Sequence, residues 1–198
     1  RSLNKGLWKS GDALRDQRYC FGKNVIQSGN TDPELGRATG DSEGNLGKGN
    51  RIIALDIVQD YLGDLPDNYS GAVGGNAVYL PFQASKFEAI FAAEFIEHLS
   101  FPDAERFLRE AHRVLIPGGV IILTTPNPDY WRTRMFRIKI TGGPHLKVYP
   151  PWELQRTLHD AGFRVVKRRG LGRVELYLGG RFLLNFYGDY GFVAEKVS

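Results

Sequence analysis

Two kinds of segment alternate along this chain of 198 residues. Short, nearly continuous apolar runs stand at 51–55 (RIIAL), 87–93 (FEAIFAA) and 119–124 (GVIILT). Apolar runs of this length that do not alternate with polar residues predict strands covered on both faces. Between the last two lies FPDAERFLREAHRVL (101–115), where Ala104, Phe107, Leu108, Ala111, Val114 and Leu115 recur at helical spacing. Pro102 stands in its first turn, and Pro117-Gly118-Gly119 is expected to end it. PPWELQRTLHDAGF (150–163) predicts a second helix, with Pro151 in its first turn and Gly162 at its end. FRVVKRR (163–169) and YGDYGFVAEKV (187–197) read as the last two strands. Weaker signals are a strand at 24–28 (NVIQS), a short helix within 57–64 and a strand around 72–75. Strands alternating with helices predict a single α/β domain over residues 1–198 with a mostly parallel sheet.

Composition narrows the class. Hydrophobic residues make up 42%, charged residues 24% and aromatics 12%, which fits a packed domain and excludes disorder over most of the chain. No apolar run approaches the roughly 20 residues that cross a bilayer. Residues 1–22 are a polar leading segment without the apolar stretch of a secretory signal. Cys20 stands alone, which excludes an internal disulfide. A reducing, cytoplasmic setting is expected. Residues 36–50 hold five glycines and predict a long loop. The net charge of +4 is unevenly spread: residues 131–173 carry 11 basic and 2 acidic residues. Such a surplus suits either an anionic partner or a solvated charged face.

Ligands of open α/β sheets bind beyond the carboxyl ends of the strands. The residues expected there are Ser28-Gly29 after the first strand, Asp56 after the second, and Asn76-Ala77 after the third. Glu94 follows the fourth, and Thr124 to Pro128 follow the fifth. A carboxylate closing the second strand can accept bonds from both hydroxyls of a ribose. The alternative for Asp56 is a helix N-cap.

The order of these segments resembles the class I S-adenosylmethionine-dependent methyltransferases of small-molecule type, with their GDA…LPF…FD…EHL core. The matching pieces are IIALDI (52–57), GNAVYLPFQASKFEAIFAAEFIEHL (75–99) and FLREAHRVLIPGGVIILTTPNP (107–128), followed by HLKVYPPWELQRTLHDAGFRVV (145–166). The resemblance implies a Rossmann-like, doubly wound sheet of seven strands, order 3-2-1-4-5-7-6, with strand 7 antiparallel. It implies S-adenosyl-L-methionine as cofactor. Asp56 would hold its ribose and Ile57 would pack on the adenine. Asn76 and Ala77 would meet the adenine edge, although the family usually has Asp at the first of these. Ala93 and Glu94 would line the methionine part. The family's G-x-G-x-G motif is reduced here to Gly29-Asn30-Thr31-Asp32-Pro33, so Ser28 and Gly29 alone represent it. Thr31 adds bulk and Pro33 removes an N–H.

Methyl transfer needs a base only where the acceptor must lose a proton. His98 is one candidate. Glu94, Glu97 and His98 resemble the E-x-x-E-H metal ligands of ubiquinone-biosynthesis O-methyltransferases, while packing or capping is the alternative for the Glu-His pair. His145, in G-G-P-H-L, is the second candidate base, or else orders its loop. It falls in an acceptor-site insertion over 129–150 that also carries Tyr130, Trp131, Arg132, Arg134, Arg137 and Lys139. Tyr130, Arg134 and His145 are the expected acceptor contacts. The acceptor expected is a small molecule, a glycan or a lipid-linked compound, methylated at oxygen and anionic in one reading; nucleic acid is not expected. The alternative function is a binding or scaffold module that keeps the fold with weakened cofactor binding.

Overall fold

The computed structural model describes residues 25–28, 50–57, 59–62, 69–136, 146–171 and 183–197. The leading segment, Gly29, the loop at 36–49 and His145 lie outside the described residues. Among the described residues, seven strands form one sheet: β1 (Val25–Ser28), β2 (Asn50–Asp56), β3 (Tyr69–Gly74), β4 (Phe87–Ala93), β5 (Leu115–Pro126), β6 (Phe163–Leu171) and β7 (Asp189–Lys196). Their spatial order is β3-β2-β1-β4-β5-β7-β6. The helices are α1 (Phe101–Val114), α2 (Trp131–Met135) and α3 (Pro151–Asp160).

The unbroken apolar runs follow from burial on both sides. In β4, Ile90 and Ala92 face a large core with Leu108, Ala111 and Leu158, while Ala89 and Phe91 face a second cluster with Ile122 of β5. Because successive side chains point to opposite faces, a strand buried on both must be apolar at every position. The large core takes the apolar stripes of α1 and α3, including Ala104, Phe107, Leu154 and Leu158. Each fully buried Leu or Phe contributes about 1.5–3 kcal/mol.

α1 starts where its sequence directs. Ser100 caps it, accepting from Asp103 N at 3.3 Å, and Pro102 occupies the first turn. Its end differs from expectation. Pro117-Gly118-Gly119 do not form a separate terminator, because β5 begins at Leu115 and runs through them. Gly119 is needed there for a close approach: a Cβ would lie 3.1 Å from the Glu88 carbonyl oxygen of the neighbouring strand. Gly118 adopts φ +76°, a conformation that favours glycine.

The direction of β1 is the main departure. β2 pairs with β3 and β4 pairs with β5 in parallel, and β7 is antiparallel to both β5 and β6. β1, however, runs antiparallel to both neighbours, with Ser28 opposite Asn50 and Val25 opposite Ile90. A parallel β1–β2 connection needs a crossover, usually an amphipathic helix. Residues 29–49 offer only Leu35, Ala38 and Leu46 as apolar side chains, besides Pro33. That is too few to cover a sheet face. The carboxyl ends of β2 to β6 therefore share one edge with the start of β7, and Ser28 lies at the opposite edge. Among the described residues, no helix is long and apolar enough to cross a membrane.

Candidate functional site

The shared edge is built first by β2 and β3. Asp56 ends β2 and is buried, and its carbonyl accepts from Gly75 N at 2.9 Å. Ile57 follows it and is exposed. A 3-10 turn at Ala77–Tyr79 comes after β3, capped by Asn76, whose Oδ1 accepts from Val78 N at 3.0 Å. Asn76 is exposed and Ala77 half-buried. The Leu80-Pro81-Phe82 segment behind this turn is tied to α1. Arg113 donates to the Phe82 carbonyl at 2.8 Å and the Leu80 carbonyl at 3.0 Å, and Glu110 accepts from Leu80 N at 2.8 Å. The same arginine bonds Glu110 and holds its carboxyl below the usual range. The helix thus fixes the height of the Asn76-Ala77 turn at the edge.

The second half of the edge is a group of acids, Glu97 buried and Glu94 and Asp189 half-buried. Ala93 ends β4, and Glu94 follows with φ +47°, in the left-handed region. A non-glycine residue there stores about 1 kcal/mol or more. Thr124 of β5 holds it: Glu94 N donates to Thr124 Oγ1 at 3.1 Å, and Thr124 Oγ1 donates to Glu94 Oε1 at 2.9 Å. Thr125 Oγ1 donates in the same way to Glu97 Oε2 at 3.1 Å. Asp189 opens β7 opposite Pro126. Burial, then the charges of Glu97 and Asp189, push the Glu94 carboxyl well above the ordinary range. Burial raises Glu97 to about 7 and Asp189 to about 6. Carboxyls that keep a proton toward neutrality can donate or accept one in a reaction.

A loop closes over the group. Asn127 is buried, and its Nδ2 donates to the Leu184 and Tyr187 carbonyls at 2.8 and 3.0 Å. Leu146 N and Lys147 N donate to the Glu97 carbonyl at 2.9 and 3.1 Å. Lys147 pairs with Glu153 and lies 4.2 Å from the Phe101 ring centroid. Tyr190 donates through its hydroxyl to the Tyr149 carbonyl at 2.8 Å.

The structure brings together Asp56, Ile57, Asn76, Ala77, Ala93 and Glu94 on one edge. It does not bring Ser28 to them, because β1 is reversed. His98 ends a short 3-10 turn at Ile96–His98, half-buried. Glu94, Glu97 and His98 do not form a ligand set; among the described residues no group of three such side chains could hold a metal ion. Tyr130 precedes α2, and Arg134 lies within it, paired with Asp129 at 3.6 Å. Thr124, Thr125 and Asn127 were expected at this edge but given no role, and Asp189 escaped the sequence reading. The threonines and Asn127 stand in a segment whose position was legible. Asp189 had no local signal, because only the pairing of β7 with β5 brings it beside Glu94.

A family model described as a methyltransferase domain matches residues 34–123. That stretch is similar to methyltransferase domains. A probable S-adenosylmethionine-dependent methyltransferase of Mycolicibacterium smegmatis is 28% identical over 162 residues, covering 77% of this chain and 56% of the relative. The chloroplastic 2-methyl-6-phytyl-1,4-hydroquinone methyltransferase 1 of Oryza sativa subsp. japonica is 35% identical over 101 residues. That match covers 50% of this chain and 28% of the rice protein, so the chain spans only part of its relatives' length. A solved methyltransferase from Archaeoglobus fulgidus superposes with a TM-score of 0.54 at 21% identity, over 73% of this chain and 75% of that one. This last likeness concerns the fold.

S-adenosylmethionine is the cofactor named for the Mycolicibacterium smegmatis relative. The donor set on the β2–β3 side fits it: a buried carboxylate at a strand end can accept from ribose hydroxyls, and exposed Ile57 offers an apolar surface to a purine. Among the described residues, Ser28 at the end of β1 stands at the opposite edge.

Proposed function

We propose that the chain is a methyltransferase that uses S-adenosylmethionine on a small-molecule, glycan or lipid-linked acceptor, with transfer to oxygen. One observation carries this reading: Asp56 at the end of β2 and Glu94 just after β4 stand on a single sheet edge. The neighbour order of the seven strands supports the Rossmann-like, doubly wound reading. When bound, the cofactor supplies an electrophilic methyl group on a sulfonium. Asp56 holds the ribose, Ile57 covers one face of the adenine, and Asn76 and Ala77 meet its edge. Asn76 spends its side-chain oxygen on Val78 N, so its amide N–H remains for the ligand. Ala93 and Glu94 line the methionine end. Tyr130 and Arg134 contact the acceptor, and His145 takes its proton. A relative named for a phytyl hydroquinone supports an acceptor with a hydroxyl and an apolar tail.

Titration calorimetry with S-adenosylmethionine tests the reading. The wild-type chain is expected to bind, and Asp56→Ala to bind at least tenfold more weakly. Absence of heat at millimolar ligand would sink it. The reversed β1 favours the second reading, a binding module that keeps the fold without the cofactor; the same titration separates the two.

A further inference from the structure

Large apolar side chains stand exposed around the same edge. Trp131, Met135 and Phe136 in and after α2, Leu146, Trp152 at the start of α3, and Leu183 are each between 42 and 66% exposed. Contacts of their neighbours tie the segments that carry them to this edge. Tyr130, at the head of α2, bonds through its N–H to the Asn127 carbonyl at the end of β5. Asn127 also holds the Leu184 carbonyl, next to Leu183. Leu146 N donates to the Glu97 carbonyl, and Glu153, beside Trp152, pairs with Lys147. Single exposed apolar residues are ordinary on a protein surface, whereas a clustered set marks a contact surface.

α2 itself is cationic. Arg132 and Arg134 are exposed on the same helical turns as Trp131 and Met135. α2 has no buried residue, so packing does not account for its composition. The sequence from 131 to 173, of which 137–145 and 172–173 lie outside the described residues, holds 11 basic and 2 acidic residues. Indole rings favour the headgroup level of a bilayer, and guanidinium groups pair with lipid phosphates. A second copy of the chain would bring the same positive charge against itself. Charge complementarity therefore selects an anionic surface with an apolar layer beneath it.

We propose that this edge docks the protein on the surface of an anionic lipid bilayer. Trp131, Met135 and Phe136 enter the headgroup layer, and Arg132 and Arg134 pair with phosphates. The docking stands independently of the methyltransferase reading, and it would present the sheet edge to an amphiphilic acceptor.

Co-sedimentation of the full chain with vesicles tests it, using phosphatidylcholine alone and phosphatidylcholine mixed with phosphatidylglycerol. The mixed vesicles are expected to bind the chain, with tryptophan emission shifting to the blue, and added salt to weaken the binding. The Trp131→Ala/Phe136→Ala variant is expected to bind about tenfold more weakly, and Arg132→Gln/Arg134→Gln to lose most of the salt dependence. Thermal unfolding of each variant confirms that it is folded. Three results would overturn the proposal: no binding of the wild type to the mixed vesicles, equal binding by the folded tryptophan–phenylalanine variant, or a soluble dimer that this variant dissociates. Cofactor titration is read separately. Vesicle binding without cofactor heat keeps the docking and sinks the methyltransferase reading; the opposite pair of results does the reverse.

Discussion

Glu97 is fully buried at a sheet edge, with Glu94 and Asp189 beside it and Thr125 donating to one of its oxygens. Tyr149 and the backbone of Lys147 pack from the following segment, and His98 is the next residue. Burial lifts its carboxyl from an ordinary value near 4.5 to about 7. The folded state then keeps a proton that the unfolded chain has already released. Stability is fully present below about 4.5 and is lost as pH rises to about 7. A difference of that size corresponds to about 3 kcal/mol. Denaturant unfolding between pH 5 and 8 is expected to show the wild type losing stability across this range. Glu97→Gln, which cannot ionise, is expected to flatten the loss. An unchanged pH slope in that variant would assign the loss to Glu94 or Asp189 instead. None of this was visible in E-F-I-E-H-L as a sequence, where Glu97 read as a metal ligand or a structural partner. Its burial comes from strands that lie 28 residues and more along the chain.

At the level of elements, legibility followed the length of the apolar signal. α1, β4 and β5 each carry a long periodic or continuous pattern, and each stands within a few residues of its expected place. β1 has four residues and no pattern that fixes its direction, and the reversal follows from what the next 21 residues lack. The caps are equally local. Ser100→Ala removes the acceptor for Asp103 N and is expected to cost about 1 kcal/mol in denaturant unfolding. Gly170 was not legible, because its constraint is tertiary. A Cβ there would lie 2.1 Å from the buried ring of Tyr187, whose carbonyl is held by Asn127. Gly170→Ala is expected to cost about 1–3 kcal/mol by overpacking and to loosen the 184–187 segment over the acids. Equal proteolysis of mutant and wild type at that segment would speak against the coupling.

For the whole molecule, the split of charge and the split of the site coincide. The acids that define the edge come from the ends of β2 and β4 and the start of β7, while the basic surplus lies in α2, in β6 and in the sequence between α2 and α3. A ligand held at Asp56 would touch residues brought together only by the folded sheet, so it must stabilise that sheet by mass action. At ligand concentrations near 100 times Kd the gain is about 2.7 kcal/mol. For a domain of this size that corresponds to a rise of about 5–10 °C in Tm. S-adenosylmethionine, and its demethylated product S-adenosylhomocysteine, are each expected to raise the midpoint of thermal unfolding by that amount in the wild type. Asp56→Ala is expected to unfold at a midpoint that the same concentrations barely move. A rise of equal size in the variant would place the ligand elsewhere on the molecule, and no rise in the wild type would leave the sheet edge without its cofactor.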